Sequence, residues 1–306
     1  MRKRFGSNEE VIKAYLSGNY EGGRSGNGNL FFEGDTLYSY GYHFPLAVDC
    51  GRYYVVNGDK YSSTTSTRHQ SPLFRMIPDR MRLEIPFSAL AAMANLTKWY
   101  SKTPSIAREI DVIDWEGDRY IDTGRVSKID GHRLYDHVLG GSVFRWQGKY
   151  YVSSMDLSGV GKRGRFFLTE IAQSQVERYG EPTSVDEAIE LLKPAEVKKA
   201  EEAGCEVHRQ GEWFFVRDSL LEPKKGITKQ YELVHKDDKD PAHIASEGFS
   251  VKIMGEFCQV VRGIVKHNRK EHKQLKLYEV GEKDRPWFVA YESVQGGSWG
   301  TQGNVD

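Results

Sequence analysis

Two groups of side chains in this sequence could carry chemistry. The first lies in the run Ser62-Ser63-Thr64-Thr65-Ser66-Thr67-Arg68-His69-Gln70. Hydroxyls, backbone amides and a guanidinium in succession can cradle a phosphate, and an imidazole titrates near neutral pH. That makes His69 a candidate acid or base, with His43 as its partner, and Thr64, Thr65, Arg68 and Gln70 candidate ligand contacts. Tyr40 and Tyr42 stand just upstream, in Tyr38-Ser-Tyr-Gly-Tyr-His-Phe-Pro45, and would complete the site if Tyr53 to Val56 pairs back against them. The plain alternative is a solvated loop whose hydroxyls cap their own backbone.

The second group is His208, His243, His267 and His272. His267 and His272 stand at the H-x4-H spacing of half a zinc site. No C-x2-C or H-x3-H pair precedes them, and Cys205 with His208 makes only a C-x2-H pair. A site for zinc or another divalent metal at His243, His267 and His272 therefore requires the fold to gather distant segments. Arg262, Lys266, Lys273 and Lys276 flank the H-x4-H pair, so the same stretch also reads as a basic hairpin tip able to touch phosphates, or as a plain solvated turn.

Other candidates are weaker. Gly159-Val-Gly-Lys-Arg-Gly-Arg165 lacks the G-K-[ST] ending and the following helix of a phosphate loop, because Phe166-Phe167-Leu168 reads as strand. Asp130-Gly-His132 and Asp136-His137 fall in a polar connector. G-x-S-x-G, H-E-x-x-H, dinucleotide-binding and Walker motifs are all missing from the sequence.

The elements that must position these residues are mainly strands. Seventeen tyrosines and 31 glycines point to aromatic strands joined by tight turns. Leu37 to Tyr40 reads as a strand broken by Gly41, Arg52 to Val56 as the returning strand, and Asn57-Gly58 as a hairpin turn. Ser7 and Glu10 form a capping box ahead of a short helix that Gly18 stops, and Ser184 with Glu187 forms a second. Phe87 to Tyr100 reads as a helix after Pro86, Ile110 to Thr123 as a hairpin turning at Glu116-Gly117-Asp118, and Pro194 as the start of a helix ending at Gly204. Strands are expected at Ser142 to Trp146, Gly148 to Val152, Arg165 to Glu170, and at five further stretches from Glu212 onward. Gly51-Arg-Tyr-Tyr-Val, Gly148-Lys-Tyr-Tyr-Val and Gly211-Glu-Trp-Phe-Phe-Val repeat one recipe, read as common turn chemistry rather than duplication.

The fold class expected is α+β, mainly antiparallel sheet with a few short helices, in two β-rich parts. Residues 1–175 form the first, 176–204 a helical connector, 205–295 the second and 296–306 a flexible tail. Lys plus Arg equals Asp plus Glu at 43 each, so no global field draws the chain to nucleic acid or membrane, and polyanion binding needs a local patch. Three widely spaced cysteines point to reduced thiols and a cytoplasmic setting rather than a disulfide framework. No apolar run reaches the ~18 residues of a membrane span, and Met-Arg-Lys-Arg has no apolar stretch behind it to make a signal peptide.

The segments Asn29-Leu-Phe-Phe-Glu-Gly, Leu37-Tyr-Ser-Tyr-Gly-Tyr-His-Phe-Pro-Leu-Ala47 and Tyr61-Ser-Ser-Thr-Thr-Ser-Thr-Arg-His69 resemble, in that order, a domain of unknown function common in bacteriophage and mobile-element genomes. The likeness spans roughly residues 8 to 75. The first helix here lacks the Trp and His of that pattern, and Arg68 stands as one extra residue before the histidine. Arg209-Gln-Gly-Glu-Trp-Phe-Phe215, His243, Val261-Arg-Gly263 and His267 are similar to other phage-type proteins. The resemblance implies a phage or mobile-element habitat and no particular mechanism.

The leading expectation is an accessory protein that binds nucleic acid or another phosphate-bearing ligand through the Ser/Thr-Arg-His run, with Tyr38, Tyr40 and Tyr42 available for stacking. The alternative is a histidine- or metal-dependent hydrolase, a nuclease or phosphoesterase. A non-catalytic virion or host-interaction protein is the third.

Overall fold

Five short segments rich in apolar residues build an antiparallel meander near the start of the chain. In the computed structural model, residues 3–59, 62–87, 90, 103–117, 119–126, 131–138, 140–156, 165–218, 226–235, 243–253, 255–268, 272–278 and 286–301 are described. They fold as α+β with mostly antiparallel sheets, in two compact units. The first unit comprises 1–155, 166–188 and 296–306, and the second 156–165 and 189–295. The division falls inside the helix Val185–Leu191, so the expected connector is shared between the units rather than standing apart.

The first unit holds a seven-stranded sheet in sequence order: Lys3–Phe5, Gly22–Ser25, Leu30–Glu33, Thr36–Ser39, Pro45–Asp49, Tyr54–Asn57 and Arg82–Ile85. Its four inner pairings are antiparallel and its two outermost are parallel. Each parallel pair needs a crossover, and helices supply both. Asn8–Leu16 joins the first pair, opened by the expected Ser7 cap: Ser7 Oγ accepts from Glu10 N–H at 3.2 Å, while Glu10 reaches back to accept from Gly6 N–H at 2.8 Å, one residue before the Ser7 N–H of a full capping box. The second crossover runs from Ser63 to Met76. The two helices cover one face, where Val11, Ile12, Tyr15 and Leu73 pack on Leu30, Phe32, Leu37, Leu46 and Val56. Truncating a fully buried ring such as Phe32 to alanine destabilises by about 3–5 kcal/mol.

On the other face Val48, Val55, Leu83 and Ile85 meet Phe144, Trp146, Tyr151 and Leu168 of a five-stranded sheet. That sheet runs Gln295–Thr301, Arg165–Ile171, Lys149–Asp156, Gly141–Trp146 and Asp111–Glu116. Residues 295–301 are thus a strand beside Arg165–Ile171, where a flexible tail was expected. Gly296 fits there because a Cβ would lie 2.5 Å from the Glu170 carboxylate.

Three local expectations are corrected. Asn57-Gly58 is not a hairpin turn. Asn57 is fully buried, its Nδ2 donates to Pro45 O at 2.9 Å, and the chain leaves by the helical crossover, while the hairpin turn falls at Cys50-Gly51. Asp111–Glu116 and Arg119–Val126 do not form one hairpin. The former pairs with Gly141–Trp146, and the latter with Arg133–Val138, which turns the supposed polar connector around Asp136-His137 into a strand. Gly51, Gly148 and Gly211 all take left-handed φ before strands of three different sheets, as shared turn chemistry requires. Most of the helix expected over 87–100, and the Gly159 to Gly164 loop, lie outside the described residues.

The second unit is an antiparallel sheet in the order Val207–Gln210, Trp213–Asp218, Trp287–Glu292, Glu256–His267, His243–Ile253 and Thr228–Glu232, with Leu275–Lys276 pairing on Glu256–His267. Its core is Trp213, Phe215, Leu233, Val261, Val265 and Phe288. The long hairpin His243–Ile253/Glu256–His267 carries one irregularity. Between the pairs Ala245↔Val265 and Glu247↔Arg262, a single residue, Ser246, faces two, Gly263 and Ile264. Gly263 has φ +90, and a Cβ on it would lie 2.9 Å from that of Ser246, so the bulge needs glycine. Among the described residues no helix is long and apolar enough to cross a membrane, and Cys50, Cys205 and Cys258 are free thiols.

Candidate metal centre

Three histidines meet at the open end of the long hairpin. His243 begins one strand and His267 ends the other, and the two form a direct cross-strand pair. Antiparallel pairing alone puts their Cβ atoms ~5 Å apart. Beyond His267 the chain reverses, and Leu275–Lys276 runs back along Glu256–His267, which carries His272 over the same end. Ring centroids lie 4.7 Å apart for His243 and His267, 5.5 Å for His243 and His272, and 5.0 Å for His267 and His272. All are buried, His243 completely. One potential ligand atom from each lies within 4.8 Å of those of the other two.

Two glycine-level details seat His272. Gly211 adopts φ +58 at the turn between Val207–Gln210 and Trp213–Asp218, and a Cβ there would come within 2.8 Å of His272 Nε2. The imidazole occupies the space that any side chain would take. Beside it Gln210 Nε2 donates to Lys273 O, which fastens the returning segment to the same turn.

The constellation extends past the three histidines. Glu212 Oε1 is 3.5 Å from His243 Nδ1 and 3.5 Å from His235 Nε2. His235 Nδ1 and Glu292 Oε1 share a 2.7 Å hydrogen bond. Trp213 closes the floor, with its ring 5.2 Å from His235 and 6.5 Å from His243. Burial pushes the Glu212 carboxyl above its ordinary value, aided by Glu292, while its own backbone N–H, His235 and His272 pull the other way.

Each of these groups is held by its own element. Glu212 follows the turn glycine, and Ser293 N–H donates to its carbonyl at 2.7 Å. His235 follows Thr228–Glu232 in a segment that Leu233 N–H ties to His243 O at 2.9 Å. Gln259 then grips the next residue from both sides: its Nε2 donates to Val234 O and its Oε1 accepts from Val234 N–H, each at 2.8 Å. Glu212, His235 and Glu292 carry no sequence signal, because no two of them share a motif spacing. His208 stands apart from the cluster, with its Nε2 2.6 Å from Glu206 Oε1 and its ring against Phe288. Cys205 is exposed on the surface.

The first unit treats its candidate residues differently. The Ser/Thr-Arg-His run is a helix, not a loop. Ser62 caps it by accepting from Thr65 N–H at 3.1 Å, and Ser66–Gln70 forms a π turn in which Ser71 N–H reaches Ser66 O. Thr65 is fully buried under the cap. Gln70 is internal: its Nε2 donates to Asn57 O at 3.1 Å and Asp59 O at 2.6 Å, and its Oε1 accepts from Ser66. His69 Nδ1 and Ser39 Oγ share a 2.7 Å hydrogen bond at 2% and 1% exposure, so this pair is a polar link inside the fold. Burial lowers the His69 pKa below its ordinary value, and the neighbouring Arg68 charge adds to that.

His43 lies against Gly41, where a Cβ would be 2.7 Å from its Nδ1. Tyr40 holds a left-handed φ of 59, strained for a side chain of this size, and packs its ring 5.4 Å from His69. Tyr42 leans edge-on against Phe31 and Tyr38 and donates to Glu33 at 2.7 Å. Tyr40, Tyr42, Thr64 and Arg68 remain exposed.

Compared with protein-family models, curated proteins and solved structures, the chain has no match.

Proposed function

We propose that the second unit holds a divalent transition metal on His243, His267 and His272, and that the protein is a metal-dependent hydrolase of phosphate esters. The convergence of these three imidazoles at one buried hairpin end carries the reading. Neutral imidazoles suit zinc and its neighbours among the transition metals. Three protein donors leave a tetrahedral ion one position for water, which a bound ion of this kind makes acidic enough to supply hydroxide near neutral pH. Lys266, Lys273 and Lys276 are exposed on the segments that carry His267 and His272, a basic rim that favours an anionic substrate.

Purified full-length protein is assayed for metal content and for hydrolysis of bis(p-nitrophenyl) phosphate with zinc, manganese or cobalt. The expected result is bound metal and metal-dependent turnover, with the turnover lost and the metal content lowered in the H267A/H272A double variant. Wild-type metal content in that variant overturns the reading.

We also propose a nucleic-acid surface on the first unit, supported by the exposure of Tyr40 at 43% and Tyr42 at 50% on the same unit as the exposed Arg68. Fluorescence anisotropy with single-stranded and duplex probes tests it. Binding at low salt that falls in the Y40A/Y42A/R68A variant supports this surface, and no binding at low salt removes it.

A further inference from the structure

We infer that Glu212, His235 and His243 form a second cation position, so that the imidazole of His243 is shared between two divalent ions. This rests on the proposed ion at His243, His267 and His272 for the sharing, but its own three donors stand without it.

Donor spacing is the first argument. An ion of tetrahedral preference sits ~2.1 Å from nitrogen or carboxylate oxygen, which separates its donors by roughly 3.4 Å. Glu212 Oε1 lies 3.5 Å from His235 Nε2 and 3.5 Å from His243 Nδ1. Those separations exceed the 2.7–3.2 Å of good N–H···O hydrogen bonds and match ligands around one ion. The three donor atoms also fall within 4.8 Å of one another.

A second argument comes from Glu292. Its Oε1 is 2.7 Å from His235 Nδ1. A neutral His235 that donates Nδ1–H to this carboxylate turns the lone pair of Nε2 toward Glu212. Metal-bound histidines are oriented in this way, with a carboxylate behind the ring that fixes the tautomer and raises the basicity of the ligating nitrogen. The arrangement leaves Glu292 a positioning residue and Glu212 and His235 ligands.

The third argument concerns His243. Its side chain is entirely buried, its Nδ1 faces Glu212, and its ring lies against both His267 and His272. With Nδ1 serving one ion, Nε2 serves the other. The ring then binds as imidazolate, and its proton leaves to solvent as the second ion enters. Glu212, partly open to solvent at 29%, is the side from which this ion would arrive.

Chelator-stripped full-length protein is titrated with cobalt(II), following the visible absorbance of the bound ion and the metal retained after gel filtration. The wild type is expected to hold about two equivalents. E212Q, nearly isosteric and checked by near-ultraviolet circular dichroism, and H235A are each expected to hold about one. H267A/H272A is expected to keep about one equivalent, lost when Glu212→Gln is added. Wild-type stoichiometry and affinity in both E212Q and H235A overturns the inference. A single wild-type equivalent that vanishes in H267A/H272A also overturns it and leaves the first position standing. A single wild-type equivalent that is kept in H267A/H272A and lost with Glu212→Gln supports this position and removes the first.

Discussion

His243 and His267 are the last cross-strand pair of the longest hairpin among the described residues, their rings 4.7 Å apart and nearly perpendicular. A backbone ladder thus sets the distance between two side chains that are distant in sequence, and the neighbouring turn sets the third through Gly211. Substitutions in these supports are expected to disturb the centre without touching a proposed ligand.

Gly211→Ala combines two faults. Left-handed backbone costs an ordinary residue about 1–2 kcal/mol, and the new methyl would sit 2.8 Å from His272 Nε2. The variant is expected to lose about that much stability in urea denaturation and to bind cobalt more weakly as His272 is displaced. Unchanged cobalt affinity would mean that His272 does not need its seat.

Gln259→Ala removes both 2.8 Å hydrogen bonds to the Val234 backbone. Each such bond contributes about 0.5–1.5 kcal/mol. Amide hydrogen exchange is expected to rise in peptides covering 231–235 and not in those covering 213–218, which belong to the adjoining part of the sheet.

Gln70→Ala leaves two buried carbonyls, Asn57 O and Asp59 O, without its amide. A loss of about 1–3 kcal/mol in unfolding free energy is expected. A ligand-contact role for Gln70 predicts the opposite pattern, intact stability with weakened binding, and chemical denaturation of the variant decides between them.

Acidification is expected to weaken the first unit through His69. Its folded pKa lies below the ordinary value of 6.5, so the unfolded chain takes up the proton first as pH falls. Stability that is present above about pH 6.5 is therefore lost progressively below it, until the folded form protonates too. Urea midpoints measured downward from pH 7.5 should show this fall, and His69→Gln should flatten it. An identical slope in the variant would assign the effect to other groups.

Strand identity was legible in most places because turn glycines bracket aromatic, β-branched runs, as at Gly148 and Gly211. Partnership was not legible. Asn57-Gly58 has the composition of a hairpin turn, yet burial of the Asn57 amide and the helix that follows give a parallel crossover instead. The run Ser62 to Gln70 read as a loop because serine and threonine are weak helix formers. Tertiary burial of Thr65, His69 and Leu73, with a Ser62 cap, overrides that preference.

Among the site residues, His267 and His272 announced themselves by spacing, and His243 joined them only as a histidine on the same half of the chain. Glu212, His235 and Glu292 were invisible for a physical reason. Glu212 precedes one strand, His235 follows another and Glu292 ends a third, and the separation of 57 positions between His235 and Glu292 is closed by sheet order alone.

The bulge at Ser246 and Gly263 gives the hairpin a phase. From the tip, where Ile253 faces Glu256, paired residue numbers sum to 509 as far as Glu247 and Arg262, and beyond the bulge, as at Ala245 and Val265, they sum to 510. Were every residue, Gly263 included, to pair in regular register without the bulge, the ladder would set Lys266 opposite His243. A lysine ammonium would then point where an imidazole now does, and every side chain beyond the slip would change face. A one-residue bulge that carries no proposed ligand thus decides whether this end of the sheet gathers donors for a cation or repels one.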